Sequence, residues 1–326
     1  MPVSVIVPNY NHAAYLKQRI NSILEQSYED FEIIILDDCS TDNSRNIIEQ
    51  YRNNKKVAKI IYNETNSGST FKQWNKGIKI AKNDLIWIAE SDDFADKDLL
   101  QNLQLQFDGD PELGIAYCQS NKVNERNEIT GSWQSWTEDL NADLFKKRFK
   151  LNGKDYISQF LIYRNTIPNA SAVLFHKKYY EMVGGADEKT LESGDWLTWI
   201  KILTVSNIVY IPQHFNNFRY HDKSVIGRAR NNASERYIGR DAIIMRINLH
   251  KFLKDRSSGN KDFGIIINKN RNILIEECAK ESYFFIEKKS WIKGINILLK
   301  TGFNSLYNFV YLFKYLSKKT LHKIKG

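Results

Sequence analysis

Leu85-Ile86-Trp87-Ile88-Ala89-Glu90-Ser91-Asp92-Asp93 passes from five consecutive apolar residues straight into a stretch holding three carboxylates. A short unbroken apolar run of this kind fits a strand buried on both faces. The adjacent acids then fall where that strand meets solvent. Neighbouring carboxylates repel and are costly to hold ionised unless a cation or a donor-rich ligand offsets the repulsion. Two readings fit the stretch taken alone. One is a hard divalent cation with a phosphate-bearing ligand. The other is an acidic turn in which Asp93 or Asp96 caps a helix expected over residues 98–107.

Working outward, residues 3–7 form a β-branched run ending at Pro8, and residues 13–26 follow with Tyr15, Leu16, Ile20, Ile23 and Leu24 at helical spacing. Residues 32–36 repeat the strand signature. The turn Asp37-Asp38-Cys39-Ser40-Thr41-Asp42 comes next, and residues 44–51 carry Ile47, Ile48 and Tyr51 on one helical side. Residues 59–62, 85–89 and 114–118 read as further strands, with a helix over 70–81 between the first two. Apolar strands alternating with helices predict an α/β fold with a mostly parallel sheet covered on both faces. Ligands of such sheets bind beyond the carboxyl ends of the strands. Asp37-Asp38 and Asp92-Asp93 both fall at such ends, which moves the balance toward a cation and ligand site.

The chain has 326 residues, 42% apolar and 13% aromatic, with five prolines and no low-complexity tract, so it reads as folded. Its net charge of +9 is concentrated at one end: nine lysines follow Glu287, the last acid, and the preceding part balances 38 basic against 38 acidic residues. Nucleic acid is therefore not expected as a partner. Cys39, Cys118 and Cys278 form no disulfide framework, the first residues are not a signal peptide, and no run is long enough to span a bilayer. A cytoplasmic setting is the expectation.

At this point the first 225 or so residues resemble the family 2 glycosyltransferases, nucleotide-sugar enzymes of GT-A fold. Val3-Ser4-Val5-Ile6-Val7-Pro8-Asn9-Tyr10-Asn11 is similar to the family's opening strand and loop, which implies Pro8 and Tyr10 at the nucleobase. Asp37 to Asp42 is similar to its D-D-G-S-T-D turn with cysteine in the glycine position, and implies Asp38 as the residue contacting the base. A carboxylate accepts an imide N–H more strongly than a neutral group does. The segment from Asn66-Ser67-Gly68 to Asn75-Lys76-Gly77 resembles the one crossing beneath the nucleotide, with Asn66, Lys72 and Lys76 as candidates, and Trp74 stands where the family commonly has arginine. Glu90-Ser91-Asp92-Asp93 matches the D-x-D-D form of the family signature. It implies Asp92 at ribose or metal and Asp93 at Mg²⁺ or Mn²⁺, the cation acting as Lewis acid for the leaving diphosphate.

Further along, Glu192-Ser193-Gly194-Asp195-Trp196-Leu197-Thr198-Trp199 resembles the family's E-D-x-x-x-W block, and implies Asp195 as the general base that deprotonates an acceptor hydroxyl with inversion at the anomeric carbon. A helix cap is the structural alternative. Arg219-Tyr220-His221 resembles a feature in which a histidine approaches diphosphate or metal, making His221 a candidate ligand. Pro168-Asn169-Ala170-Ser171 is expected at the wall of the sugar pocket. Trp133 and Trp136 suit either stacking on a sugar ring or burial in a core.

The resemblance implies a metal-dependent transferase acting on a UDP-linked sugar and a glycan or lipid-linked acceptor in bacterial surface polysaccharide synthesis. The expected organisation is a catalytic domain over 1–228, with nucleotide-binding (1–120) and acceptor (121–228) parts, and a helical basic extension over 229–326. Lysines and aromatics over 291–325 suit either in-plane attachment to an anionic membrane surface or docking on the protein. Two other classes stay open: a nucleotidyltransferase, whose glycine-rich phosphate loop residues 8–14 lack, and a non-catalytic nucleotide-sugar or membrane-binding scaffold.

Overall fold

The computed structural model describes residues 1–190, 193–221, 237–257, 261–288 and 290–299. The chain divides into two compact units, Met1–Arg228 and Ala229–Gly326.

The first unit is built on β1 (Val3–Asn9), β2 (Phe31–Asp37), β3 (Val57–Tyr62) and β4 (Leu85–Ile88), connected by α1 (Ala13–Leu24), α2 (Ser44–Glu49) and α3 (Thr70–Ile80). These four strands are parallel in the order β3-β2-β1-β4. Then follow β5 (Phe94–Ala95), α4 (Leu99–Gln104), β6 (Leu113–Val123), β7 (Ile129–Ser132), α5 (Glu138–Asn141), β8 (Phe149–Asn152), α6 (Gly153–Tyr156), β9 (Val173–His176), α7 (Lys177–Met182), α8 (Gly194–Leu203) and β10 (Asn207–Arg219). The sheet continues β4-β9-β6-β10-β5, with β9 antiparallel to both neighbours and β6 parallel to β10. The mostly parallel sheet expected from the apolar runs is thus parallel in its first half and mixed in its second.

β1, β2 and β4 are largely apolar because they are buried on both faces. Val3, Val5 and Val7 share one core with Leu16, Ile20 and Ile23 of α1, Ile33 and Ile35 of β2 and Trp87 of β4, all but inaccessible to solvent. Each such aliphatic side chain contributes roughly 1.5–3 kcal/mol by burial. On the opposite face α3 lies directly on the sheet: a Cβ at Gly77 would stand 2.5 Å from Ile6 Cγ2. Pairing of Ile6 with Ile88 and of Asn9 with Asp37 aligns the carboxyl ends of β1, β2 and β4. The loops beginning at Asn9, Asp38 and Glu90 therefore open at one end of the sheet.

In the second unit α9 (Tyr237–Arg256) and α10 (Lys261–Glu287) share a small core of Ile243, Leu274 and Cys278. Arg246 and Asn270 exchange hydrogen bonds across it. α11 (Trp291–Leu299) approaches α10 closely, since a Cβ at Gly294 would meet the Ser282 carbonyl, while Ile292 and Ile295 are exposed. The rest of the expected membrane-attachment segment, beyond Leu299, lies outside the described residues. Among those described, no helix is long and apolar enough to cross a membrane.

Candidate functional site

The end of β2 is tied by its own acids. Asp37 accepts from Asn9 Nδ2 at 2.8 Å, from Ser40 Oγ at 2.6 Å and from the Ser40 amide at 3.0 Å. These bonds close a turn in which Cys39 takes a φ of +62°, the left-handed conformation that the glycine of the D-D-G pattern adopts easily and other residues adopt at about 1–2 kcal/mol. Here a cysteine holds that left-handed position. Asp38 is buried and accepts from Asn63 Nδ2, the Ser67 amide and Gln73 Nε2 at Oδ1, and from the Ser67 hydroxyl at Oδ2. Asn66 Nδ2 reaches the Asp38 carbonyl, Lys72 Nζ donates to the Ser67 carbonyl, and Lys76 Nζ to Asn63 Oδ1. Asp38, Asn66, Lys72 and Lys76 thus belong to one hydrogen-bonded loop cluster. Pro8 is buried in β1, and Tyr10, just past its end, is 42% exposed.

The three acids after β4 separate into three environments. Glu90 Oε1 accepts the Trp74 indole N–H at 2.8 Å, and its amide donates to Ser171 Oγ. Burial pushes the Glu90 carboxyl up to about 8, with Asp92 adding to the rise against the Trp74 bond. Asp93, the other candidate metal residue, is buried at 1% exposure, with Oδ2 accepting from Asn169 Nδ2 at 2.6 Å and Oδ1 from the Arg219 amide at 3.0 Å. Burial, then the Asp92 charge, raise it to about 7. Asp93 pins the loop after β4 to the end of β10 and to Asn169. Of the two acids offered as caps it is Asp96 that ties the start of α4: its Oδ1 accepts the Asp98 amide at 2.9 Å and its carbonyl the Leu99 amide at 3.2 Å. Pro168 to Ser171 therefore acts at least as a brace beneath the acids, since Ser171 also receives the Trp87 indole at its carbonyl.

Asp92 is the member that turns toward other ligating groups. Its Oδ2 lies 3.1 Å from His221 Nε2, and His12, Asp92 and His221 each offer a ligand atom within 4.8 Å of the others. Burial alone would raise the Asp92 carboxyl, but His12 and the His221 hydrogen bond outweigh it and hold it below its ordinary value. The adjacent acids are thus shifted in opposite directions, Asp92 down and Asp93 up. Arg219 braces the same point: Nε donates to the Asp92 carbonyl at 2.8 Å and the guanidinium lies over Tyr15. Beneath the acids, Arg19 is fully buried over Trp87, lowered to about 10 by burial, with Asp93, Glu90 and Asp92 opposing that shift.

Asp195 stands in the first turn of α8. A Cβ at Gly194 would collide with the Phe71 ring and with Thr190 Oγ1, so glycine lets the helix start close against α3. Asp195 Oδ2 accepts from Asn165 Nδ2 at 3.1 Å and Oδ1 from the Trp196 amide at 2.6 Å. One turn on, Trp199 lies 5.9 Å from Trp74, whose indole holds Glu90. Trp133 and Trp136 sit edge to face, with ring centroids 5.9 Å apart. Trp133 is half-buried among Phe218, Tyr220 and Lys122, while Trp136 is 43% exposed with its indole N–H tied to the Asn165 carbonyl.

His12, Arg19 and Asn165 do not stand out in the sequence, and Arg219 does so only as the start of the segment holding His221. The signal for His12 was its place just beyond β1, beside the end of β4. Asn165 and Arg219 reach the site only through long-range packing.

A model described as Glycosyl transferase family 2 matches residues 4–168, slightly more than half of the chain. Among curated relatives, poly(ribitol-phosphate) beta-N-acetylglucosaminyltransferase TarS of Staphylococcus aureus is 40% identical over 106 residues, 31% of this chain and 18% of TarS. Putative teichuronic acid biosynthesis glycosyltransferase TuaG of Bacillus subtilis is 40% identical over 105 residues, 32% of this chain and 41% of TuaG. The matches therefore span well under half the length of these relatives. The solved structure of S. aureus TarS 1-349 in complex with UDP-GlcNAc superimposes with a TM-score of 0.65 at 20% identity, over 91% of this chain and 81% of that one. Mannosyltransferase PcManGT from Pyrobaculum calidifontis, in complex with GDP-Man and Mn2+, gives 0.56 at 15% identity, over 97% and 79%. These likenesses are of fold, and the fold is GT-A.

Proposed function

The chain belongs to glycosyl transferase family 2, and from that premise we propose that it transfers a sugar, with inversion, from a UDP-linked donor to a hydroxyl of a glycan or lipid-linked acceptor in bacterial surface polysaccharide synthesis. The observation that carries this reading is the placement of Asp92 against His221 at the end of β4, in line with the Asp38 loop at the end of β2. The donor set fits a divalent cation: two ligands about 2.1 Å from one ion at right angles lie about 3.0 Å apart, and Asp92 Oδ2 and His221 Nε2 are 3.1 Å apart. Bound there, such a cation supplies charge neutralisation for the departing diphosphate.

The chain's own residues do the rest. Asp38 accepts the imide N–H of the base, its carboxylate already oriented by Asn63, Ser67 and Gln73. Lys72 and Lys76 put positive charge beside the same loop, and Pro8 and Tyr10 flank it. Asp195 takes the proton from the acceptor hydroxyl, with Asn165 and the Trp196 amide fixing the carboxylate. Trp136 offers an exposed ring for an acceptor sugar. Contact of the lysine-rich segment 291–325 with an anionic leaflet would bring a lipid-linked acceptor to hand. Recovery of the intact protein wholly in the soluble fraction from anionic liposomes would remove that part.

The test of the reading is a nucleotide-sugar panel followed by thermal shift and by slow donor hydrolysis, with and without Mn²⁺. Stabilisation by UDP-sugars that requires the cation supports it. Equal stabilisation in EDTA would count against it.

A further inference from the structure

We propose that His12 is a direct ligand of the cation, completing a donor set of two imidazoles and one carboxylate that selects first-row transition cations over Mg²⁺. The inference rests on the cation role proposed above and goes beyond it in naming the third ligand and the class of ion. His12 comes from the loop after β1, Asp92 from the loop after β4 and His221 from just past β10, so three separate elements converge on one point. Their ligand atoms lie within 4.8 Å of one another, a spread that one ion can close with small side-chain rotations.

Each ring is already fixed in place. His12 Nδ1 is 2.8 Å from Ser91 Oγ, and Ser91 is buried. With the Nδ1 proton donated to that hydroxyl, the Nε2 lone pair becomes the ligating one, and a partner of this type both sets the tautomer and orients the ring. The His221 side chain is 1% exposed and packs 5.0 Å from Tyr15. The two imidazoles meet edge to face at 85°, with centroids 5.5 Å apart, rather than stacking. A stacked pair could not easily aim two nitrogens at one ion.

The chemistry of this donor set sets the selectivity. Mg²⁺ prefers oxygen ligands and gives up water reluctantly, whereas imidazole suits Co²⁺, Zn²⁺ and their neighbours. A second imidazole in place of a second carboxylate therefore lowers the relative affinity for Mg²⁺. It also leaves Asp93 unneeded as a ligand, in keeping with its two buried hydrogen bonds.

The experiment is titration of the intact chain with Co²⁺, Mn²⁺ and Mg²⁺ alone, without nucleotide, by calorimetry. Pulsed EPR of bound Mn²⁺ counts the coordinated imidazole nitrogens. Wild type should bind Co²⁺ at least about ten-fold more tightly than Mg²⁺ and show two nitrogens. His12→Gln should lose about ten-fold or more of Co²⁺ affinity, change Mg²⁺ affinity little and show one nitrogen. His12→Asp, which keeps a ligand, should recover Co²⁺ binding with one nitrogen and so separates ligation from folding. An unchanged nitrogen count and an unchanged Co²⁺ to Mg²⁺ ratio in His12→Gln would overturn the inference. If Asp92→Asn and His221→Gln then still weaken cation binding, only the role of His12 fails; if they too have no effect, the cation site itself fails.

Discussion

Asn165 donates from Nδ2 to Asp195 Oδ2 at 3.1 Å while its own carbonyl takes the Trp136 indole N–H at 2.9 Å. One residue thus joins the carboxylate assigned to proton removal and the exposed aromatic ring assigned to the acceptor. Its position is held from both sides.

Asp195→Asn should lower sugar transfer by about 10²- to 10⁴-fold and leave cation-dependent binding of the donor unchanged. Asn165→Ala should lower transfer by up to about 10²-fold through misplacement of the same carboxylate. Initial rates of transfer, with thermal shift for donor binding, check both. Full activity in Asp195→Asn would remove it as the base.

Trp74→Phe should destabilise the first unit by about 1–3 kcal/mol, because it leaves Glu90 Oε1 without its indole donor in a site that water reaches poorly. Trp74→Ala, at a side chain 1% exposed between Phe71 and Trp199, should cost about 3–5 kcal/mol. Urea unfolding followed by tryptophan fluorescence measures both. Equal stability of Trp74→Phe and wild type would show that Glu90 does not depend on that bond.

At Cys39 the backbone, more than the side chain, is under test. Cys39→Gly should stay within about 1 kcal/mol of wild type, since relief at positive φ and greater freedom of the unfolded chain oppose each other. Cys39→Val should lose roughly 1–3 kcal/mol, because a β-branched residue is strained there. Valine tolerated without loss would mean that the turn relaxes to another conformation.

Elements whose signal is local are legible in the sequence. Strand β1, strand β4 and helices α1 and α3 followed from apolar runs and 3.6-residue spacing, with ends shifted by a residue or two. Asp92 and Asp38 followed from their position just past a strand. The division of labour within Glu90, Asp92 and Asp93 did not, because it depends on which donor each acid meets: Trp74, His221, or Asn169 with the Arg219 amide. Those donors lie 16 to 129 positions away along the chain. Strand β9 entered the sheet antiparallel, which its four residues could not announce.

Two partly buried histidines should work against stability as pH drops below about 6.5, the ordinary imidazole value. Burial lowers His176, helped by Lys178, and burial lowers His214, whose Nε2 is buried without a hydrogen-bond partner. Both rings bind protons more readily in the unfolded chain, so their contribution is complete above that value and is lost as pH falls through the lower folded values. Glu90 and Asp93, whose raised values act in the opposite sense, cancel when wild type is compared with His214→Gln: between pH 7.5 and about 5 the melting temperature of wild type relative to that variant should fall as pH falls. A difference between the two that stays constant with pH would contradict the assignment.

The most direct test of the account is the rate of UDP release from UDP-sugars in the presence of Mn²⁺, measured for wild type and for Asp92→Asn. The account predicts release that requires the cation and falls by at least about 10²-fold in Asp92→Asn. Release that is the same in EDTA and undiminished in Asp92→Asn would contradict it.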